Sequence, residues 1–194
     1  MKVLLLADRR ITADNVQGAV SDMVSLAEEF GRLYEIYLPK IYQYTRYRVA
    51  DREAAEDLTS DIFNKALDGF KKFNPEKAAF STWIFSIARN TIIDYYRKHS
   101  KESKVIRDTE PDSSPSSDSP EGKLSRSEEI AKLLECIVKL NDTEQELISL
   151  KFSGGITNRE IARITGLSES NVGTILCRAI RKLRDDFSGW DYER

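Results

Sequence analysis

The chain has 194 residues, of which 40% are hydrophobic and 32% are charged, and its formal net charge is −2. This length allows one domain or two small ones, and no apolar run reaches the roughly 20 residues that a membrane span needs. One histidine, His99, and two distant cysteines, Cys136 and Cys177, argue against a zinc site and a disulfide framework. We therefore expect a cytoplasmic protein with core thiols, without membrane insertion, metal or other cofactor.

A boundary lies between residues 100 and 123, where acidic side chains mix with prolines and serines. A segment of this composition cannot bury a core, whereas apolar residues recur at helical spacing on both sides of it. The sequence therefore predicts an all-α protein of two small helical domains, 23–99 and 124–190, joined by a flexible acidic linker. Residues 1–22 fit this pattern poorly, so Met23 is either the native start or the end of a real N-terminal extension.

Three helices are expected in the first domain. The first follows Met23 and is interrupted at Pro39, and the third runs from Phe80 to about His99 with a basic and aromatic far end. The second, at 52–70, has a polar outward face opposite one apolar stripe. That stripe contains Ala55, Leu58, Ile62, Ala66 and Leu67.

The second domain is expected to contain two amphipathic helices followed by two capped ones. Apolar residues at 130–140 and 147–152 form the first pair. Thr157 and Glu160 have the form of a capping box, and Gly166 is placed to end that helix in a left-handed turn. Two helices joined by a tight glycine-containing turn form a helix-turn-helix, whose second helix enters the major groove of DNA.

The expected recognition helix begins after a cap at Ser168 and runs from Glu169 to about Asp185. Its inner stripe contains Val172, Ile175, Leu176, Ala179 and Leu183. Outward or rim positions are left to Ser170, Asn171, Gly173, Thr174, Cys177, Arg178 and Arg181, and Arg178, Arg181, Lys182 and Arg184 form a basic patch. The alternative is a generic helical hairpin whose arginines are merely solvated.

From Met23 to Phe187 the order of motifs resembles that of the extracytoplasmic-function (ECF) sigma factors of bacterial RNA polymerase. The segment 55–63, Ala-Glu-Asp-Leu-Thr-Ser-Asp-Ile-Phe, is similar to the region 2 helix that binds the coiled coil of the polymerase's largest subunit. The resemblance assigns polymerase contacts to Glu56, Asp57, Asp61, Ile62, Asn64 and Lys65. Without it, the acidic residues are an ordinary solvated helix face.

The segment 80–90 resembles the helix that family members use to open and read the −10 element, and the loop 71–76 resembles the one that helps to enclose a flipped base. The resemblance assigns −10 DNA contacts to Lys71, Phe73, Asn74, Asn90, Asp94, Tyr95, Arg97 and Lys98. Bases of a separated strand are held by stacking, hydrogen bonds and positive charge, which these residue types supply. Trp83 is expected in the core, and Tyr96 is equally well explained by packing at a helix end.

Residues 171–174, with Arg178 and Ala179, resemble the family's −35 recognition helix, so the outward residues of that helix are assigned to −35 DNA. Gly173 departs from the many members that have Arg or Lys there. The resemblance implies a non-enzymatic transcription initiation factor. Its implied partners are the RNA polymerase core, through the coiled coil and the flap of the second-largest subunit, promoter DNA, and an anti-sigma factor.

Two other functions fit parts of the sequence. A stand-alone helix-turn-helix regulator would sense a ligand or dimerise through its N-terminal domain and would need no polymerase. A nucleic-acid enzyme would bind Mg²⁺ through Glu56, Asp57 and Asp61, but neither a phosphate-cradling loop nor a catalytic base accompanies them. The acidic linker also has two interpretations, an RNA mimic in the polymerase exit path or a plain solvated tether.

Overall fold

The computed structural model describes residues 13–49, 51–102, 130 and 132–191, and their regular secondary structure is entirely helical. The helices are α1 (Ala13–Arg48), α2 (Arg52–Phe70), α3 (Phe80–Glu102), α4 (132–138), α5 (Asp142–Gly154), α6 (Asn158–Thr165) and α7 (Glu169–Asp191). The predicted all-α class is confirmed. Most of the predicted linker lies outside the described residues, and α3 continues past its expected end to Glu102. Within this part of the chain, no helix has the length and apolar character to cross a membrane.

The first helix is longer than the sequence predicted. α1 begins at Ala13, ten residues before Met23, and continues through Pro39. Proline removes one backbone hydrogen bond from the helix interior. The helix persists because Phe30 before Pro39 and Tyr44 after it are both buried in the same core, so packing holds the two halves in line.

α1, α2 and α3 pack against one another around an aromatic and aliphatic core. Asp51 caps the start of α2, and its side chain accepts a hydrogen bond of 2.6 Å from the backbone N–H of Ala54. The prediction for Leu67 was wrong, since that side chain is 54% exposed and Phe63 lies in the core instead. Leu67 follows Ile62 by five residues and is therefore turned about 140° away from it around the helix.

The second unit contains α4 to α7, and its predicted caps are confirmed. Thr157 and Glu160 form a reciprocal capping box at the start of α6, and Gly166 ends that helix with a φ of 78°. Ser168 Oγ accepts a hydrogen bond of 3.2 Å from the N–H of Asn171 at the start of α7. Val172 and the rest of the predicted inner stripe face the core, so the helix-turn-helix is built as expected.

Three expectations about the second unit were wrong. Ile130 and Phe152 are both more than half exposed, although each continues an apolar pattern. Cys136 is a buried core thiol as predicted, whereas Cys177 is exposed on α7. Each pattern included one residue beyond the buried face, because helical spacing alone does not show where a neighbouring helix ends its contact.

The two units pack directly against each other. α5 lies on α1 and α3, α6 lies on α3, and their buried side chains form one continuous core. Gly154, at the end of α5, lets α5 approach α3 closely, because a Cβ atom there would lie 2.8 Å from Cζ of the buried Phe85. The sequence indicated a tether between the domains and did not predict this docking.

Candidate polymerase and DNA interfaces

An exposed acidic stripe runs along the outer face of α2. Its members are spaced by three or four residues and therefore share one side of the helix. They are Glu53, Asp57, Asp61, Asn64 and Asp68, all exposed. Ala55, Ile62 and Ala66 are fully buried on the opposite side. Glu53 and Asp68 were not predicted, although the same spacing identifies them.

The remaining predicted polymerase contacts have other surroundings. Glu56 lies beside the acidic stripe and pairs with Arg52 at 2.9 Å. Lys65 donates a hydrogen bond of 3.0 Å from Nζ to Thr91 Oγ1, which joins α2 to α3. Ile62 has no exposed surface, so its assignment to the polymerase contact was wrong: its side chain packs the core behind the stripe.

The loop between α2 and α3 is shaped by an aromatic cluster. Phe73 is partly buried, and its ring centroid lies 5.0 Å from that of Trp83 and 5.6 Å from that of Phe80. Asn74 Oδ1 accepts a hydrogen bond of 2.8 Å from the N–H of Glu76 and so closes the turn. Trp83 packs in this cluster, as predicted, and Lys71 is exposed at the end of α2.

A second polar stripe follows α3. Asn90, Asp94 and Arg97 are spaced by four and three residues, and Arg97 Nη2 pairs with Asp94 Oδ1 at 2.9 Å. We call these three residues the α3 polar stripe. Lys98 is exposed next to it. The stripe presents an amide, a carboxylate and a guanidinium together, which suits hydrogen bonding to base edges.

The tyrosines near the end of α3 lie away from that stripe. The Tyr95 ring packs against the His99 ring at a centroid distance of 4.0 Å, and burial raises the pKa of Tyr95. The Tyr96 hydroxyl donates to the backbone carbonyl of Arg48 at the end of α1. Tyr96 therefore has the packing role that the sequence left open, and Tyr95 keeps its phenol proton at neutral pH.

The outward face of α7 contains most of the predicted −35 residues. Those with exposed side chains are Ser170, Asn171, Thr174, Cys177, Arg178 and Arg181. Gly173 is partly buried, and a Cβ atom there would lie 3.7 Å from Nδ2 of Asn158, at the start of α6. Position 173 therefore points along the groove between α6 and α7 rather than directly outward.

The predicted basic patch is divided between two roles. Lys182 Nζ donates to both carboxylate oxygens of Glu144, at 2.7 and 2.9 Å, and the hydrogen bond from Lys182 lowers the pKa of Glu144. Glu144 is buried in the capping box of α5, so Lys182 fastens α7 to α5. Arg178 and Arg181 remain on the exposed face.

The acidic residues proposed for a magnesium enzyme do not converge. Among the residues described, no group of three His, Cys, Asp or Glu side chains comes close enough to hold a metal ion. Glu56, Asp57 and Asp61 instead lie along the exposed surface of α2.

Comparison with known proteins agrees with this architecture. The family model of sigma-70 region 2 matches residues 33–102, and that of sigma-70 region 4 matches residues 130–183. The ECF RNA polymerase sigma factor BldN of Streptomyces coelicolor is 33% identical over 90% of this chain and 68% of its own length. The RNA polymerase sigma factor YlaC of Bacillus subtilis is 34% identical over 80% of this chain and 90% of its own.

The chain therefore belongs to the ECF family of RNA polymerase sigma factors. The family assignment given by the motifs is confirmed. ECF sigma factors are DNA-binding transcription initiation factors that give RNA polymerase its promoter specificity, so the coarse function of the chain follows from its membership.

Solved structures show the same fold. The sigma factor RpoE of Bartonella quintana, in complex with the anti-sigma factor NepR, matches with a TM-score of 0.68 at 20% identity, over 83% of this chain and 98% of its own. CnrH, in complex with the cytosolic domain of CnrY, matches with a TM-score of 0.63 at 23% identity, over 84% and 90% of the two chains.

Proposed function

We propose that residues 23–99 of this sigma factor bind the polymerase core and the melted −10 element, while residues 124–190 bind the −35 duplex. The observation that carries the proposal is the pairing of two exposed polar surfaces on one family scaffold. The acidic stripe of α2 offers a surface to a basic protein partner, and the outward face of α7 offers one to DNA.

The acidic stripe is the proposed contact with the coiled coil of the largest polymerase subunit. Asp57 and Asp61 lie at its centre, one turn apart, and the buried face of α2 behind them fixes their direction. Complementary charge guides association and sets the register of two docked helices. The second unit exposes Val138 and Phe152, which supply apolar surface for the flap of the second-largest subunit.

The α3 polar stripe, with Lys98 and the loop residues Lys71 and Asn74, is the proposed site for the unpaired −10 strand. Unstacked bases offer hydrogen-bonding edges that a duplex conceals, and proteins hold them through polar, aromatic and cationic groups. Binding energy gained with the open strand alone shifts the promoter toward melting. Neither domain performs covalent chemistry in this mechanism, because polymerase carries out nucleotide addition.

The N-terminal half of α7 is the proposed reader of the −35 duplex. Asn171 and Thr174 are placed where a recognition helix meets base edges, and Arg178 and Arg181 follow along the same exposed face. Gly173 has no side chain to contact a base. We therefore expect sequence selection to depend on its neighbours.

An anti-sigma factor is the proposed regulator of this chain. The two solved structures named above each contain a partner, and for RpoE of Bartonella quintana that partner is an anti-sigma factor. We expect regulation and activity to take place in the cytoplasm, where the polymerase acts.

The polymerase contact is tested by reversing charge at the centre of the acidic stripe. A variant with Asp57→Lys and Asp61→Lys should bind purified core polymerase at least about tenfold more weakly in fluorescence anisotropy, because like charges replace complementary ones. The matched control is Glu28→Lys with Glu29→Lys, which makes the same charge change at exposed positions of α1. Equal core affinity of the two double variants would contradict the assignment of the stripe.

A further inference from the structure

Gly173 leaves a gap beside the outward face of α7, and a residue of α6 lies in it. Position 173 is turned about 100° around the helix from the buried Val172, which places it on the flank of α7 that faces α6. A Cβ atom at 173 would lie 3.7 Å from Nδ2 of Asn158. The Asn158 carboxamide therefore occupies the space into which a longer side chain at 173 would extend.

The same flank of α7 contacts the start of α6 through charged residues. Arg159 Nε pairs with Glu169 Oε2 at 3.5 Å, and Glu169 precedes Gly173 by four residues and so lies on the same side of α7. Ser170, three residues before Gly173, is its neighbour on the helix surface and is exposed. Asn158, which is partly exposed, thus lies at the border between the α6 contact and the face proposed for −35 DNA.

The Asn158 side chain is not needed to start α6. Thr157 is the N-cap of that helix, and its reciprocal hydrogen bonds with Glu160 complete the capping box. Asn158 Oδ1 is buried and has no hydrogen-bond partner among the residues described. A buried carbonyl without a partner costs free energy that an alanine at this position would avoid. Neither capping nor internal hydrogen bonding therefore accounts for an asparagine here.

A carboxamide is suited to one base in particular. It has an acceptor and a donor side by side, and adenine presents the complementary N6–H donor and N7 acceptor in the major groove. The terminal torsion of asparagine is broad and roughly two-fold, so rotation about it turns Oδ1 from its buried position toward the DNA. Oδ1 then accepts from N6 of adenine while Nδ2 donates to N7. Guanine presents two acceptors there and cannot satisfy the Asn158 carbonyl.

We propose that Asn158 is a specificity-determining residue of this sigma factor, which selects an adenine of the −35 element through the gap left by Gly173. This inference rests on the function proposed for α7. A bidentate contact of this kind discriminates against a wrong base by about tenfold or more. The base that faces position 173 is thus selected by the first helix of the helix-turn-helix and not by the recognition helix.

Filling the gap should change the selected base. Gly173→Arg places a guanidinium in the space that holds the Asn158 carboxamide, and a guanidinium favours guanine, whose N7 and O6 are both acceptors. Asn158→Ala removes the carboxamide and leaves the gap empty, so the position should accept any base. Because the arginine already displaces Asn158, the double variant should have the base preference of Gly173→Arg.

The test is transcription by core polymerase with each variant on a promoter pool randomised at the −35 element, in which a transcribed barcode identifies each template. The wild type should enrich adenine at one position, and Asn158→Ala should reduce that enrichment about tenfold without changing the other positions. Gly173→Arg should replace adenine by guanine at the same position. Asn171→Ala is the matched control, since it removes the same side chain from an exposed position of α7 and should leave the adenine enrichment unchanged.

Thermal unfolding of Asn158→Ala separates base selection from a packing role. Loss of an unpartnered buried carbonyl should leave the unfolding midpoint at or above that of wild type. A lower midpoint together with an unchanged base preference would mean that Asn158 only packs. An adenine enrichment that Asn158→Ala retains in full overturns the role of Asn158 alone. A wild type that binds core but shows no base preference at −35 overturns the proposed function as well.

Discussion

Lys182 Nζ lies 2.7 Å from Glu144 Oε1, although Lys182 belongs to the basic end of the recognition helix and Glu144 to the capping box of α5. The same carboxylate accepts a hydrogen bond from the N–H of Asn141 through Oε2. One side chain thus completes the start of α5 and anchors α7 to it. The orientation of the recognition helix depends on this residue.

Replacing Glu144 by Gln should reduce the free energy of unfolding by about 1 kcal/mol at neutral pH, because the charge-assisted bond from a half-exposed ammonium is lost. The pKa of Glu144 is lowered in the folded state from 4.5, chiefly by Lys182. A lowered folded pKa adds stability above the unfolded value, and that stability is lost as pH falls below about 4.5. Urea denaturation at several pH values measures the difference.

The control for this prediction is Glu135→Gln, which removes an exposed partner of Lys132. An exposed pair three residues apart should contribute less than about 0.5 kcal/mol at any pH. If the loss of unfolding free energy in Glu144→Gln stays constant from neutral to acidic pH, the carboxylate acts by shape and not by charge.

Replacing Gly166 or Gly31 by alanine should change the stability of the chain in opposite directions. Gly166 has a φ of 78°, so Gly166→Ala should destabilise the chain by about 1 kcal/mol, through left-handed backbone strain. Gly31 lies inside α1 with nothing within 4 Å of an added Cβ, so Gly31→Ala should stabilise it by about 0.5–1 kcal/mol. Thermal unfolding of both variants measures the two changes in stability. Shifts of the same sign would contradict the assigned turn.

Substitutions of Asn90 and Trp83, both on α3, distinguish a residue proposed to bind the unpaired −10 strand from a residue that packs in the core. Asn90→Ala should leave unfolding within about 0.5 kcal/mol of wild type while reducing promoter melting by about tenfold, because an exposed hydrogen-bonding group is removed. Trp83→Ala should cost about 3 kcal/mol of stability through loss of the aromatic cluster. Melting is followed by 2-aminopurine fluorescence in the −10 region. Wild-type melting by Asn90→Ala would remove this residue from the site.

Arg178 tests the proposed −35 surface. Arg178→Ala should weaken transcription from promoters that depend on the −35 element by about tenfold to a hundredfold, the effect of one lost base or phosphate contact. Core binding should not change, because the residue lies on the exposed face of α7 away from α2. Arg32→Ala, an exposed arginine on α1, is the matched control. Parallel loss of core affinity in Arg178→Ala would indicate a polymerase contact instead.

The sequence predicted the parts of the fold that depend on local chemistry. Thr157 with Glu160, and Gly166 after them, act within one or two helical turns, so the residues themselves specify the caps. The helix-turn-helix follows directly from these caps and the stripe beginning at Val172. The family was identified from the order of the motifs, because helical periodicity alone carries no information about family membership.

What the sequence did not show depends on distant neighbours. Helical spacing alone already turns Leu67 about 140° away from Ile62, whereas the burial of Phe63 beside Ile62 follows from the packing of α1 and α3 on α2. Lys182 looked like part of a DNA-binding patch because its partner, Glu144, is 38 residues away. The bond between Arg89 and Glu146 likewise joins charges that appear solvated in their own helices.

Transcription in vitro with purified core polymerase and fragmented genomic DNA of the host, with and without this chain, tests the central claim most directly. We predict new transcript starts that share two upstream motifs at the −10 and −35 positions and that disappear with the Asp57→Lys, Asp61→Lys variant. A chain that binds duplex DNA alone but neither binds core nor produces new starts would contradict the sigma-factor account and favour a stand-alone regulator.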